Sequence, residues 1–420
     1  MSSTVRQRRR SFMWFCGGSI AAFAIGAVPP AFSQPHGVSP EFHVSSGHRG
    51  IAEYGQRVSS NGRDRFVAVW ERVDSITYNV EARQIDVRGP TLRKQFQVNP
   101  GPDDCLEPPQ ARVPAVGASP NGDFAVAWMS HSLCDASPFD WSIDVRRFNA
   151  AGDATGAPLQ VDDSSGSAEE PQLAMDTSGS FVVVWERHVR SQSNGDAANV
   201  MARRIDAAGG FLGEPFQVNS TTRNAELSPV VAMTNQGFVV AWESDDTVQA
   251  QRYDASGVPL GAQFQVSIPP SSPCGDSGQP AIGSDSRGNF VVAWSYVDCA
   301  GGPGGILARR FDQSGVAVGT AILVTTGIPS DQGAAQPRLA VAANGDFVVT
   351  WALYRSAGFS FIVLERRYDH AGQPETKKPV RLSSLGVLGP DVAMDKRENI
   401  LFIWQNGDLD GPIVARAIGN

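Results

Sequence analysis

The sequence predicts an all-β fold, a seven-bladed β-propeller in which each blade has four strands. Three observations lead to this prediction. A phrase ending in tryptophan recurs seven times, each repeat contains four strand-like segments, and the strand missing from the last repeat is found near the start of the chain. The composition is that of a folded chain, because 41% of the 420 residues are hydrophobic and only 19% are charged. Disordered chains have fewer apolar and more charged residues.

The first element is an export signal over residues 1–33. Four arginines between positions 6 and 10 precede a mostly apolar stretch, and the small residues Ala31 and Ser33 offer a cleavage site. The pair Arg9 and Arg10 indicates the twin-arginine route, and an ordinary secretory signal is the alternative. We therefore expect an exported protein, located in the periplasm or outside the cell.

Removal of this signal leaves an acidic chain. The full sequence has a formal charge of −8, and residues 1–33 contain four arginines and no acidic residue, so the remaining chain carries −12. Such a chain repels phosphate backbones, so nucleic acid is not an expected partner. The apolar part of the signal is too short and interrupted for a membrane span. After its removal we expect no span, and we expect a monomer.

The repeat is marked by a Phe-Val-Val-x-Trp phrase whose tryptophans are 52 to 58 residues apart. In residues 181–185 both alternating faces of the phrase are apolar, which is typical of a strand lying between packed sheets. We therefore expect these tryptophans to be buried between blades rather than to stack on a ligand. They are Trp70, Trp128, Trp185, Trp242, Trp294, Trp351 and Trp404.

Three further strand-like segments surround that phrase in each repeat. In the third repeat a proline-led segment occupies residues 171–175, an arginine-containing segment residues 201–205, and a Phe-Gln-Val-Asn segment residues 216–219. The Asp-x-x-Gly turn at residues 206–209 is typical of type I. Four-stranded sheets repeated radially describe a β-propeller. We interpret the recurrent third-strand arginine as a packing or pairing residue; it is Arg83, Arg146, Arg203, Arg309, Arg366 and Arg416.

The two ends of the chain predict a closed ring. The last repeat stops after its third strand, at residues 414–418, whereas residues 42–45 read as an isolated fourth strand. Pairing of these two segments would complete the last blade and leave no open sheet edge. We therefore expect residues 34–420 to form a single propeller domain.

The cysteines that follow the signal predict two disulfides. Two repeats carry cysteine at equivalent positions on either side of the tryptophan, so repeat equivalence favours Cys105 with Cys134 and Cys274 with Cys299. Each bridge would join the loop entering a blade to the loop between that blade's second and third strands. An oxidising compartment agrees with this pairing. A metal site is the alternative, but the spacing is not that of a zinc site.

Ligand-binding residues are expected where the repeats differ, in the loops after the tryptophan strands. These loops are longest in repeats two and three, and acidic residues follow several tryptophans. In a propeller such loops surround the mouth of the central channel, so we expect an acidic rim with one raised aromatic edge. The alternative is that the loops are polar only because they are exposed. The candidates are Glu71, His131, Trp141, Glu186, His188, Glu243 and Asp245.

No residue is assigned a catalytic or metal-binding role from the sequence. It has no phosphate-binding loop, no nucleophile elbow, and no metal-ligand spacing among its six histidines. The segment at residues 406–411 lacks the glutamate that ends an EF-hand loop, which favours a plain turn. We expect no cofactor.

The succession Gly-x-Phe-Val-Val-x-Trp, Ala-Arg-Arg-Phe-Asp-x-x-Gly and Phe-Gln-Val-Asn resembles the repeats of secreted bacterial β-propeller proteins. The resemblance covers nearly the whole chain after the signal and implies the fold. It implies no catalytic residues, since those repeats carry none.

Three functions stay open. The favoured one is an exported binding or scaffold propeller that recognises a glycan or a protein through its loop-rich face. The second is a polysaccharide-acting lyase or glycoside hydrolase with its site at the channel mouth. The third is a structural cell-surface repeat protein.

Overall fold

The protein is described by a computed structural model that covers residues 38–419 with gaps. The gaps are at residues 48–50, 63, 75–76, 89–90, 102–109, 132–140, 164–165, 190–196, 221–224, 268–275, 298–303, 327–331, 356–357, 384–387 and 408–410. The predicted export signal and the four cysteines of the predicted disulfides lie outside the described residues.

Seven antiparallel sheets form a seven-bladed β-propeller, which confirms the predicted fold. The inner strands are Ile51–Ser60, Gln110–Ala118, Ser167–Met175, Glu226–Met233, Ser277–Ser284, Gln332–Val341 and Leu388–Met394. The second strands are Arg65–Asp74, Phe124–His131, Phe181–Val189, Gly237–Ser244, Phe290–Tyr296, Phe347–Arg355 and Ile400–Gln405. The third strands are Thr77–Asp86, Ser142–Phe148, Ala197–Ile205, Thr247–Asp254, Gly305–Phe311, Gly358–Tyr368 and Ile413–Ile418.

The outer strands are shorter than the other three in most blades. Those of blades two to six are Leu159–Gln160, Phe216–Gln217, Phe264–Gln265, Ala317–Leu323 and Val380–Arg381. In blade one the third strand pairs with two short segments, Thr91–Leu92 and Phe96–Gln97. The outer strand of blade seven is Phe42–His43.

The ring closes through this N-terminal strand, as the sequence predicted. Phe42 pairs with Ala415 and His43 pairs with Val414, so residues 42 and 43 complete the blade that ends the chain. The fully buried Val44 continues this pairing by donating its N–H to the carbonyl of Ile413 at 2.8 Å.

The hydrophobic core lies between blades, because both faces of each second strand are apolar. Each of the seven core clusters joins residues of two neighbouring blades, and together the clusters run around the whole ring. All seven repeated tryptophans are at most 1% exposed, which confirms their assignment to the core. Burial of large aromatic side chains is a main source of stability in such an interface.

The repeated third-strand arginines join neighbouring blades through hydrogen bonds. Arg146 donates from Nη1 to the carbonyl of Val98 at 2.8 Å, and Arg203 donates to that of Val161 at 2.9 Å. Both acceptors follow the outer strand of the preceding blade. Blade four has Gln251 at this position, and there the hydroxyl of Tyr253 donates to the equivalent carbonyl at 3.3 Å. The recurrence of arginine therefore reflects interblade pairing.

Candidate functional site

Each inner strand contains one residue in the left-handed backbone conformation, at a β-bulge where the register with the second strand shifts. The φ angles lie between +48° and +69°. Five of the seven residues are not glycine, although this conformation costs such residues about 1–2 kcal/mol each. The seven left-handed residues are Gly55, Val113, Glu170, Ser228, Gln279, Gln336 and Gly389.

The bulge also explains the repeated proline. The sequence predicts that the inner strand of blade three begins at Pro171. The strand begins instead at Ser167, and the proline follows the left-handed Glu170. Proline has no N–H to donate to a ladder and is therefore tolerated at a bulge. The residues after the bulge in each inner strand lie next to the ring axis.

The glutamates that follow three of the tryptophans bind these bulges. Glu186 Oε1 accepts the N–H of Ser228 at 2.6 Å, and Glu71 Oε2 accepts that of Val113 at 3.2 Å. In both cases the acceptor belongs to the preceding blade. Glu243 Oε2 accepts a similar bond at 3.2 Å from the bulge of blade five. A carboxylate thus satisfies a backbone donor that the bulge removes from the ladder.

Two later blades achieve the same contact with a different residue. Serine and alanine follow the tryptophans of blades five and six, and a glutamine at the bulge supplies the oxygen instead. Gln279 Oε1 accepts the N–H of Gln336 at 3.0 Å, and Gln336 Oε1 accepts that of Gly389 at 3.1 Å. The side chains at the bulges therefore help to hold the ring together near its axis.

The predicted acidic rim is not formed by Glu71 and Glu186, because these side chains are 3% and 1% exposed. Burial raises the pKa of Glu71, and Arg112, whose Nε lies 3.3 Å from its Oε1, opposes that increase. Glu243 is half-buried, and Asp245 is exposed in the turn between the second and third strands of blade four. The sequence pattern did not reveal that the first two carboxylates face a neighbouring blade. Their role in ligand binding stays a prediction.

A cavity of about 290 Å³ lies among the inner strands, and five of the seven blades contribute charged or amide-bearing side chains to its lining. Blades four to six add backbone and side chains of their bulges and the residues that follow them. Its charged and amide-bearing side chains are Arg57, Glu170, Gln172, Gln279, Gln336, Arg338 and Asp391. This polar pocket on the axis is the candidate site.

The residues that line this cavity were not among the predicted site residues, although the repeats carry a signal for them. Arg57, Arg338 and Asp391 occupy the second position after the bulge, where blades two and five have Ala115 and Ala281. A charge at a position that is apolar in equivalent repeats marks a departure from the structural pattern. Only the bulge in the structure shows that these charged side chains point toward the axis.

Glu170 is a cavity carboxyl group whose protonation is perturbed by its surroundings. Burial raises the pKa of Glu170 to about 7, and the nearby negative charge of Glu186 adds to the increase, whereas Arg57 opposes it. At neutral pH Glu170 therefore exists as a mixture of acid and carboxylate. A carboxyl group in that state can both donate and accept a proton.

The structure brings together two of the predicted site residues on the strand that pairs with the strand of Glu170. His188 Nε2 lies 2.9 Å from Glu186 Oε2, and the His188 side chain is 25% exposed. The buried carboxylate of Glu186 thus orients a partly exposed imidazole, while its other oxygen holds the bulge of blade four. Glu170 belongs to the inner strand that pairs with this second strand.

His131 and Trp141 also lie together, with ring centroids 5.2 Å apart at an interplanar angle of 73°. His131 is 8% exposed, and Trp141 packs against the core between blades two and three. The backbone N–H of Trp141 donates to Ser167 Oγ at 3.2 Å. Trp141 is thus part of an interblade contact, and a raised aromatic edge is not apparent among the described residues.

No family model matches this chain, and no curated protein matches it. Solved structures do resemble it. A protein of unknown function from Dyadobacter fermentans is 12% identical, with a TM-score of 0.51, over 77% of this chain and 96% of its own. The polysaccharide lyase Uly1 is 10% identical, with a TM-score of 0.52, over 94% of this chain and 95% of its own. At these identities the similarities show the fold alone.

The described part of the chain contains no helix that is long and apolar enough to cross a membrane.

Proposed function

We propose that the protein is an exported glycan-binding propeller whose central cavity accepts a saccharide residue. The observation that carries this proposal is the dense set of hydrogen-bonding side chains, two arginines, two carboxyls and three glutamines, around one cavity. Sugar hydroxyls both donate and accept hydrogen bonds, and they match such a mixed lining. The export signal predicted for residues 1–33 supports a location outside the cytoplasm.

The rigidity of the lining supports binding. Gln279 and Gln336 are fixed because their amide oxygens hold the neighbouring bulges, at 3.0 and 3.1 Å. Side chains that are already ordered lose little entropy when a ligand binds. The cavity volume is near the lower end of the ~300–1,000 Å³ typical of small-molecule sites, which favours one sugar residue over a long chain segment.

A propeller of this size can act on glycans, since Uly1 is a polysaccharide lyase and covers 94% of this chain. That likeness is a precedent for glycan chemistry on this fold. The evidence for the proposal is the lining of the cavity.

The test is binding of the signal-free protein to a glycan array, followed by calorimetry with the oligosaccharides that bind. Gln172→Val removes one amide from the cavity and introduces the residue that blade four has at this position, Val230. We expect this variant to fold and to bind more weakly. The matched control is Gln373→Val in an exposed turn that does not line the cavity, where blade four has Val258. Binding that is equal in both variants, or no binding to any glycan, would contradict the proposal.

Glycan cleavage is a second candidate, favoured by Glu170 and the Glu186–His188 pair. The pKa of Glu170 is raised to about 7 by burial and by Glu186, and Glu186 also orients the His188 imidazole. Titratable groups of this kind are suited to general acid–base catalysis. Reducing-sugar release and the ultraviolet absorbance of an unsaturated product would detect hydrolysis and elimination, respectively. Glu170→Gln should abolish either activity, and Glu214→Gln at a 92% exposed side chain should not. Cleavage that persists in Glu170→Gln would exclude this role.

A further inference from the structure

Two arginines face the central cavity from opposite sides of blade seven. Arg57 belongs to blade one and Arg338 to blade six, and both occupy the second position after the bulge. Asp391 has the same position in blade seven, between them. Three charged side chains from three consecutive blades therefore meet at one part of the cavity wall.

The hydrogen bonds that the two guanidinium groups make within the protein do not use all of their N–H donors. Each donates from Nη1 to the carbonyl of the residue before it, at 2.9 Å for both Arg57 and Arg338. Arg338 Nε lies 3.9 Å from Asp391 Oδ1, which is beyond hydrogen-bond distance. The Nε of Arg57 is buried and has no hydrogen-bond partner among the described residues. A buried donor without a partner is destabilising, and a ligand oxygen would satisfy it.

The charges at this wall do not balance. Two guanidinium groups face one carboxylate, and Asp391 Oδ2 is already engaged by the N–H of Val58 at 2.8 Å. Burial lowers the pKa of Arg338 to about 10, and the nearby charge of Arg57 adds to this decrease, whereas Asp391 and Glu170 oppose it. Glu170 is the other cavity carboxyl, and it is only partly ionised at neutral pH. An anion placed between the arginines would relieve the repulsion between their charges.

We propose that Arg57 and Arg338 bind the carboxylate of an acidic sugar, so that the ligand of the cavity is a uronate-containing saccharide. This inference rests on the proposed saccharide-binding function. The planar guanidinium matches a carboxylate with two parallel hydrogen bonds, which a neutral hydroxymethyl group cannot reproduce. The glutamines of the cavity would then hold the hydroxyl groups of the same sugar.

Calorimetry with matched ligands tests this inference. The probes are galacturonate, glucuronate, mannuronate and guluronate oligosaccharides, each with its carboxyl-reduced neutral counterpart of equal length. The variants are Arg57→Gln and Arg338→Gln, and the control is Arg287→Gln, whose side chain is 65% exposed and lies outside the cavity. We expect at least one acidic oligosaccharide to bind on the order of 10- to 100-fold more tightly than its neutral counterpart, the range of a charge-assisted hydrogen bond. Each cavity variant should remove most of that preference, and the control should keep it.

Equal affinity for acidic and neutral forms would overturn the inference and leave the proposed function intact. Absence of binding to every one of these probes, together with no binding to any glycan of the array, would overturn both. If the arginine variants do not fold, competition in the native protein decides the question. Displacement of the acidic oligosaccharide by acetate supports a carboxylate site. Stronger displacement by sulfate assigns the site to a sulfate ester and overturns the uronate inference. No displacement by either anion also overturns it.

Discussion

Glu365 should make the stability of the ring depend on pH. It lies in the third strand of blade six, is 0% exposed, and has one oxygen without a hydrogen-bond partner among the described residues. Its other oxygen lies 3.4 Å from Arg367 Nε. Burial raises the pKa of Glu365 to about 7 from an ordinary value of 4.5, and Arg367 only partly opposes this. The other blades carry small apolar residues at this position, namely Ala82, Val145, Ala202, Ala250, Ala308 and Ala415.

The sign follows from proton binding. Between pH 4.5 and about 7 the folded state holds a proton on Glu365 that the unfolded state has released, so the free energy of unfolding decreases as the pH rises through this window. A difference of about 2.5 pKa units corresponds to about 3 kcal/mol. Glu365→Gln keeps the shape and cannot ionise. We therefore expect it to match the native protein near pH 4.5 and to be more stable by about 3 kcal/mol at pH 8.

Denaturant unfolding of both proteins at pH 4.5, 6 and 8, followed by tryptophan fluorescence, measures this difference. The control Glu214→Gln changes a 92% exposed carboxylate and should alter stability little at any pH, because surface ion pairs contribute about 0–1 kcal/mol. A stability difference between Glu365→Gln and the native protein that is constant from pH 4.5 to 8 would refute the reasoning.

Four other predictions concern the ring and the cavity. Removing the chain up to residue 45 should lower the free energy of unfolding by more than the ~1.5–3 kcal/mol expected for burial of Val44 alone; thermal unfolding that matches the full-length mature chain would argue against closure by this strand. Trp294→Ala should cost about 3–5 kcal/mol in a denaturant titration, whereas loss of ligand binding at native stability would return tryptophan to a ligand-stacking role. Binding of an acidic oligosaccharide should weaken several-fold from pH 6 to pH 8 as Glu170 ionises among Arg57, Arg338, Glu169 and Glu186, and calorimetry with Glu170→Gln should show a flat profile. Non-reducing peptide mapping should find Cys105 linked to Cys134 and Cys274 linked to Cys299. Any other pairing, or four free thiols, would refute this prediction.

The surroundings of the candidate ligand residues were only partly predictable from the sequence. Glutamate after tryptophan looked like an exposed acidic feature, because a strand end beside a loop is usually accessible. Glu186 is instead turned toward the Ser228 N–H of the next blade. Nothing local to residue 186 predicts this contact, since its donor is a left-handed backbone group 42 residues later. The pairing of Glu186 with His188, in contrast, is encoded by their spacing, because residues two apart lie on the same face of a strand.

The sequence alone determined the blade number, the four-stranded repeat, the burial of the tryptophans and the closure by residues 42–45, because each of these follows from a local pattern repeated along the chain. Only the tertiary structure decided which side chains meet at the axis. Arg57 and Asp391 are 334 residues apart in sequence and become neighbours because the ring closes. The bulge then turns the residues that follow it toward the cavity, and a pattern of alternating strand residues does not contain that change of direction.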